Sequence, residues 1–462
     1  MVFSSYSFLF LFLPIVLLAY YLSPRRLRNA CLLVFSFIFY GWTIPSYAIL
    51  LATSIVVSYF SGKKMMASSG APRKKWLTVG VASNLLLLGY FKYAEMFSTW
   101  ASNLAELVGG GVGVLPILKV ALPIGISFYV FQAISYLVDM YRGDAKQAKS
   151  LVSFATYIAL FPQLIAGPIV RYRTIAEQLN ERDHSFARFL LGTRFFAMGL
   201  FKKVVIADTV ALGVSMAFGN SDPTTLEAWT GVLCYAFQIY YDFSAYSDMA
   251  VGLGLFFGFS FPQNFNSPYQ SVSITDFWRR WHISLSSWLR DYLYFPIGGN
   301  RNGLRRTYVN LMIVMALGGL WHGASVVFLI WGFWHGGLLA LERAFPKNHP
   351  ILRMPKPLAR ICVFVLVCIG WVPFRASSMA EVGTILKSMF IPTFGQSDAL
   401  TIFPEALVAL LICAPMVFIC KNSWKLVFRN DGFSVARDVL AFWIAIIVIL
   451  VYNGSPFLYF QF

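Results

Sequence analysis

The chain reads as an all-α protein that crosses a membrane many times, and three observations carry that reading. Of its 462 residues, 58% are A, V, I, L, M, F, W, Y or C, and only 12% are Asp, Glu, Lys or Arg. Soluble domains run nearer about 45–50% apolar and about 25% charged, so a water-soluble fold of this size could not cover its surface. The apolar residues are gathered into long runs, and most of the charges lie between the runs. Lipid is therefore the main solvent. The same composition excludes disorder, a collagen-like repeat and a disulfide-stapled secreted scaffold.

The first run, 6–22, has its basic residues after it and lacks a small-residue cleavage site. A signal peptide has the opposite polarity, so this run is expected to be a retained first helix. Further runs occupy 30–40, 47–61, 76–91, 114–138, 151–166, 189–218, 229–259, 308–320, 326–341, 360–371, 401–420 and 435–452. A helical span needs roughly 20 apolar residues, and several runs are shorter. Those must be tilted, re-entrant or buried inside the protein. About eleven or twelve crossings are expected, in one integral-membrane domain over 1–462.

Orientation follows from the early loops. Arg25, Arg26 and Arg28 follow the first run, 41–46 is uncharged, and Lys63, Lys64, Arg73, Lys74 and Lys75 come next. The loop 139–150 carries Arg142, Lys146 and Lys149. Lys and Arg collect in cytoplasmic loops, which places the N-terminus outside the cytoplasm. The excess of 37 Lys+Arg over 20 Asp+Glu, a net +17, is thus topological, and no nucleic-acid partner is implied. Anionic lipid also attracts such loops. Six cysteines lie in apolar stretches without a CxxC pair and read as small core residues, with neither a disulfide nor a metal.

The most unusual region is 261–306, which is too polar to span yet contains Trp278, Trp281 and Trp288. Over 275–294, Trp278, Trp281, Leu285, Trp288, Leu289 and Tyr292 recur at helical steps and predict one amphipathic helix. Thr275 before Asp276 serves as its expected N-cap, and Pro296 with Gly298 and Gly299 ends it. Such a helix suits the membrane interface, with Trp and Arg as anchors. His282 falls on its apolar face.

From 307 to 341 there is no Asp, Glu, Lys or Arg, so His322 and His335 stand at membrane depth. Ionisable groups there are costly and mark function. Gly318, Gly319 and Gly323 surround His322 and permit either close helix packing or a helix break. The two histidines are 13 residues apart, which is not the spacing of a metal pair on one helix face. The bland alternative for each is a neutral imidazole bonded between helices. A third polar cluster, QIYYDFSAYSDMAVGLGL, holds Asp242 and Asp248 in an otherwise apolar run. Buried carboxylates must be neutral, paired or wet. No basic partner lies close in sequence, so Arg279 or Arg280 is expected to come from elsewhere in the fold.

These residues are the ones by which the chain resembles the membrane-bound O-acyltransferase family, in its branch that O-acetylates bacterial polysaccharides. The resemblance runs nearly end to end. It includes MVFSSYSFLFLFLP at 1–14, LPIGISFYVFQAISYLVDMYRGD at 122–144, FPQLIAGPIVR at 161–171 and YYDFSAYSDMAVGLGL at 240–255. It continues through NFNSPYQSVSITDFWRRWHISLSSWLRDYLYFPIGGNR at 264–301, LGGLWHGA at 317–324 and PFLYFQF at 456–462.

The resemblance implies a ring of helices around a thinned centre, with re-entrant or interfacial helices near 261–306 and a catalytic-histidine region near 308–341. It makes His322 the near-invariant histidine and His282 the second. Trp281, Arg279, Arg280, Trp321, Asp242, Asp248 and His335 would line or support the substrate path. The donor would be acetyl-CoA on the cytoplasmic side of a bacterial inner membrane, with no bound cofactor or metal. The acceptor side would be an extracytoplasmic acetyltransferase partner or a polymer of the alginate or cellulose type. The C-terminal FLYFQF is similar to a tail motif whose tyrosine, here Tyr459, is proposed to carry the acyl group. Peptidoglycan O-acetylation and D-alanyl transfer to teichoic acid are the neighbouring alternatives. A proton-coupled transporter is the alternative of another class, although the internal inverted repeats frequent in transporters are not evident.

Overall fold

The computed structural model describes residues 1–108, 115–346, 354–393, 404–429, 431–451 and 458. Every secondary-structure element among them is helical. Two compact units form. The first comprises Met1, Tyr6–Phe189 and Gly254–Phe261, and the second Val2–Ser5, Leu190–Leu253 and Pro262–Phe462.

The first unit opens with a π-helical turn, Ser7–Phe12, that runs into α1 (Leu13–Leu22). There follow α2 (Arg28–Gly41), α3 (Tyr47–Met66), α4 (Gly70–Leu107), α5 (Ile126–Arg142), α6 (Leu151–Ala159), α7 (Phe161–Leu164) and α8 (Tyr172–Ile175). The run at 114–138 becomes helical only at Ile126. The run at 151–166 breaks at Leu160, because Pro162 lacks the N–H that would continue the preceding turn. Phe8, Phe12, Phe39 and Phe161 interlock, with ring centroids of Phe12 and Phe161 5.3 Å apart. Between α3 and α4, buried Asn84 accepts from the Ser54 hydroxyl at 2.7 Å and donates to the Ser58 oxygen at 2.9 Å. A buried amide satisfied on both atoms strengthens the contact rather than weakening it.

The second unit holds α9 (Phe186–Phe201) from Leu190 onward, then a π-helical turn Lys202–Ala207, α10 (Asp208–Ala211) and most of α11 (Thr225–Phe256). It continues with α12 (Ile274–Arg280), α13 (Ile283–Leu289), α14 (Gly303–His322), α15 (Val326–Ala344), α16 (Lys356–Arg375) and α17 (Met379–Phe390). It ends with α18 (Pro404–Ile419), α19 (Ser423–Val427) and α20 (Gly432–Val451). Among the described residues, α16 and α20 are long and apolar enough to cross a membrane by length and composition. Many of the other predicted runs are helical, but they are shorter or carry polar residues inside them, such as Asn84 in α4 and Asp242 in α11.

No predicted run covers α17. Its buried Val382, Ile385 and Met389 are separated by polar residues, so it reads as too polar for a span, yet Ser378 caps it by accepting from the Glu381 N–H at 3.2 Å. Of the six cysteines, Cys234, Cys368 and Cys413 are core residues; Cys31 and Cys362 are half-buried, and Cys420 is exposed.

Candidate active site

The segment predicted as one amphipathic helix over 275–294 is instead two short helices, α12 and α13, followed by a π-helical turn Arg290–Tyr294. The N-cap is Ser273, whose hydroxyl oxygen accepts from the Asp276 N–H at 3.1 Å, and not Thr275. The break falls at His282, which adopts φ 43°, ψ 55°. That left-handed conformation is uncommon for a residue with a side chain, and the surrounding structure must hold it there.

Asn264 holds the corner. Its carbonyl accepts from the Ile283 N–H at 2.9 Å, and its side-chain oxygen accepts from both the N–H and the hydroxyl of Ser284, at 3.1 and 2.9 Å. Nothing in the residue pattern signals this tertiary clamp, because Asn264 lies outside the predicted helix. The break also changes the role of the tryptophans. Trp281 and Trp288 are buried within the unit and are not an exposed stripe of interfacial anchors.

His282 itself is 1% exposed. Its ring meets Phe243 edge-on at 4.6 Å and lies 6.2 Å from the Trp321 ring. Trp321 is the neighbour of His322, with ring centroids 4.9 Å apart. One indole therefore touches both histidines.

His322 is the last residue of α14. Both readings of the flanking glycines hold at once. At Gly319 an added Cβ would collide with the Phe328 carbonyl, and at Gly332 with the Met315 carbonyl, so α14 and α15 cross backbone against backbone. Gly323 then ends α14, where a Cβ would strike the Phe328 ring. The His322 ring sits among Trp321, Trp331 and Phe374 at 4.9–5.1 Å. It also lines a cavity of about 380 Å³.

That cavity is walled by Trp278, Leu285, Leu289, Val314, Gly318 and Trp331, with Ser286, Ser287 and three arginines, Arg279, Arg290 and Arg343, also lining it. Among the described residues, no Asp or Glu lines it. Arg290 pairs with Asp291 at 2.7 Å. The chamber is thus apolar with cationic groups at its wall, and it presents one imidazole. That combination can hold an anion and move a proton in a site where electrostatic interactions are strengthened by low polarity.

His335 lies elsewhere. It is fully buried among Phe277, Trp278, Trp331 and Trp371, with ring centroids between 5.1 and 6.4 Å. Neither of its ring nitrogens has a hydrogen-bond partner among the described residues, so aromatic packing holds it and not the interhelical bond considered from sequence. Gly370 makes room for it: a Cβ there would lie 2.7 Å from the imidazole Nε2.

The carboxylates correct a sequence expectation. Asp242 pairs with Lys203 at 2.8 Å and Asp248 with Lys202 at 2.7 Å; Arg280 is engaged by Asp276 at 2.8 Å, and Arg279 lines the cavity. Lys203 also donates to Asp208 at 2.8 Å, and Lys202 to the Ser244 hydroxyl at 2.9 Å. Asp242 further accepts from the Leu458 N–H at 2.9 Å. Two adjacent lysines inside the apolar run 189–218 are the signal that sequence reading passed over. Both lysines fall in the π-helical turn after α9, and π-turns recur at functional or strained sites. Arg194 was missed in the same way: it pairs with Asp438 of α20 at 2.6 Å. Tyr459 lies outside the described residues.

Against known proteins, the model of the membrane-bound O-acyltransferase family matches residues 142–375, a span that includes His282, His322, His335 and both buried carboxylates. A probable alginate O-acetylase, AlgI, of Pseudomonas putida is 43% identical over 491 aligned positions covering 100% of both chains. A peptidoglycan O-acetyltransferase of Helicobacter pylori is 34% identical over 100% of this chain and 98% of its own length. A teichoic acid D-alanyltransferase of Bacillus subtilis is 29% identical over 54% of this chain and 68% of its own.

Proposed function

The chain belongs to the membrane-bound O-acyltransferase family, and from that premise we propose that it carries an acetyl group from acetyl-CoA in the cytoplasm to the outside of a bacterial inner membrane, for O-acetylation of a polysaccharide. It is an integral membrane protein and an O-acyltransferase. In this proposal residues 1–462 form one acyltransferase domain, with its N-terminus outside and a ring of about eleven or twelve helices around a thinned centre. An alginate- or cellulose-type polymer is the favoured acceptor system, supported by the full-length similarity to an alginate O-acetylase. An extracytoplasmic acetyltransferase would complete the transfer.

The observation that carries the chemistry is His322 at the wall of a cavity that also presents Arg279, Arg290 and Arg343. Guanidinium groups match phosphate geometry in pairs of parallel hydrogen bonds, which suits a phosphorylated thioester carrier. A hydroxyl is a weak nucleophile until a base removes its proton. Imidazole is the side chain best matched to that task near neutrality.

In the proposed step, His322 takes the hydroxyl proton as the oxygen bonds to the thioester carbonyl carbon. The tetrahedral intermediate then collapses, the carbon–sulfur bond breaks, and the thiolate leaves with the proton held by the imidazolium. His282, in contact with the same Trp321 ring, orients this arrangement or stabilises the oxyanion. Asp242, Asp248, Trp281, Arg280 and His335 support the path without touching the reacting atoms. Tyr459 is proposed as the hydroxyl that first receives the acetyl group. Its phenol, with an ordinary pKa of about 10, needs a base nearby.

Two variants test this. His322→Ala should lower acetyl transfer by about 10²–10⁴-fold while the protein inserts and accumulates normally; wild-type transfer in that variant overturns the assignment. Tyr459→Phe keeps the ring and removes only the hydroxyl, so loss of a labelled acetyl-protein intermediate is expected. Full polymer acetylation by Tyr459→Phe excludes a tyrosyl ester.

A further inference from the structure

A second cavity in the same unit, of about 580 Å³, takes no part in the chemistry above. It lies among α9 and its π-helical turn, α11, α18, α19 and α20. Part of its wall is apolar, with Met198, Phe201, Met416 and Leu440. Among the described residues its charged lining is entirely cationic: Lys202, Lys421, Arg429 and Arg437, without an Asp or Glu. The four cations are not equivalent. Lys202 is held by Asp248 at 2.7 Å and Arg437 by Asp438 at 2.6 Å. Arg429 faces Asp431 only loosely, at 3.4 Å with both side chains about half exposed. Lys421 is exposed and has no ion pair among the described residues. Two cations are thus available at the mouth of an apolar chamber.

Lys421, Lys425 and Arg429 stand against Asp431 alone between the apolar helices α18 and α20. A short cationic connection of that kind belongs on the cytoplasmic side, where anionic lipid concentrates and basic recesses between helices receive its headgroups. We propose that this cavity seats an anionic phospholipid of the surrounding membrane. Its phosphate meets Lys421 and Arg429, and the upper part of its acyl chains runs along Met198, Phe201, Met416 and Leu440. A zwitterionic lipid would bring the same phosphate together with an ammonium group, for which the lining offers no carboxylate. Because Lys202 both lines the cavity and holds Asp248 of α11, an occupant there stabilises the helices around the buried ion pairs, as any ligand of the folded state does.

The test uses the full-length protein purified in a neutral detergent, with thermal unfolding followed as phosphatidylglycerol or phosphatidylcholine of the same acyl chains is added. Phosphatidylglycerol should raise the midpoint saturably and phosphatidylcholine should not. Lys421→Gln/Arg429→Gln should unfold at the wild-type midpoint without lipid and bind phosphatidylglycerol about tenfold or more weakly. If the double variant does not fold, Lys421→Gln alone, at an exposed side chain, carries the same comparison. Equal shifts with the two lipids, or an undiminished phosphatidylglycerol shift in the variant, would overturn the proposal. So would loss of the shift on adding coenzyme A, which would assign the cavity to the phosphorylated donor.

Discussion

The histidine cavity and the lysine–aspartate core both set ionisable side chains in apolar surroundings, and they differ in what those side chains face. Lys202 and Lys203 meet Asp248 and Asp242 within 2.8 Å, with further acceptors on the lysines and a further donor on Asp242. Such a network is closed: each charge has a fixed counter-ion, and its role is to hold α11 against the turn after α9. His322 lies among aromatic rings and opens onto a chamber. Imidazole can sit there neutral, where a lone carboxylate or ammonium could not without great cost. Polar residues inside apolar surroundings therefore divide by their neighbours and not by their rarity: the lysine–aspartate pairs tie helices together, whereas His322 lies at the wall of a cavity, which is the feature on which the proposed chemistry rests.

That division can be broken most directly by exchanging the expected readouts. His322→Ala should remove transfer activity, as stated above, with an unfolding midpoint close to wild type. Lys203→Met should do the reverse in the first instance, destabilising the fold by about 3–5 kcal/mol because Asp242 is left as a buried charge without its lysine. Adding Asp242→Asn should recover part of that loss, measured by denaturant or thermal unfolding in detergent. A stable, fully active Lys203→Met would show that the pairs are not structural.

A smaller effect is expected at Gly370→Ala, where the new methyl group would press on the His335 imidazole at 2.7 Å and on Trp334 at 3.0 Å. Overpacking of this kind costs about 1–3 kcal/mol, and an unchanged midpoint would mean that the aromatic cage around His335 yields freely. The smallest concerns the corner at His282. His282→Asn should fold normally, since Asn tolerates the left-handed region, whereas His282→Val should lose about 1–2 kcal/mol more. Equal stability of the two would argue against a left-handed residue at that position.

His322 and His335 were legible in the sequence because ionisable residues in a run without Asp, Glu, Lys or Arg stand out by composition alone, whereas His282 was found by its place on the apolar face of a helical pattern. Their surroundings were less so. The heptad-like spacing of Trp278, Trp281, Leu285 and Trp288 is real, but it describes two helices related by a corner at His282, and periodicity is blind to a single residue with positive φ. The lysines were hidden for a similar reason. Two lysines in an apolar run look like an interruption of a span, and their partners lie 39 and 46 residues further along the chain.

By itself, the sequence determined the helical class, the membrane as solvent and the short set of residues able to move a proton at depth. Those follow from composition and from periodicity along one chain, which are local properties. Only the tertiary structure decided that Lys202 and Lys203 neutralise the carboxylates, that Asn264 clamps the His282 corner, and that His322 rather than His335 faces a cavity. Each of these depends on which distant side chains come within a few ångströms, and electrostatic pairing and packing act over that distance in space whatever the separation in sequence.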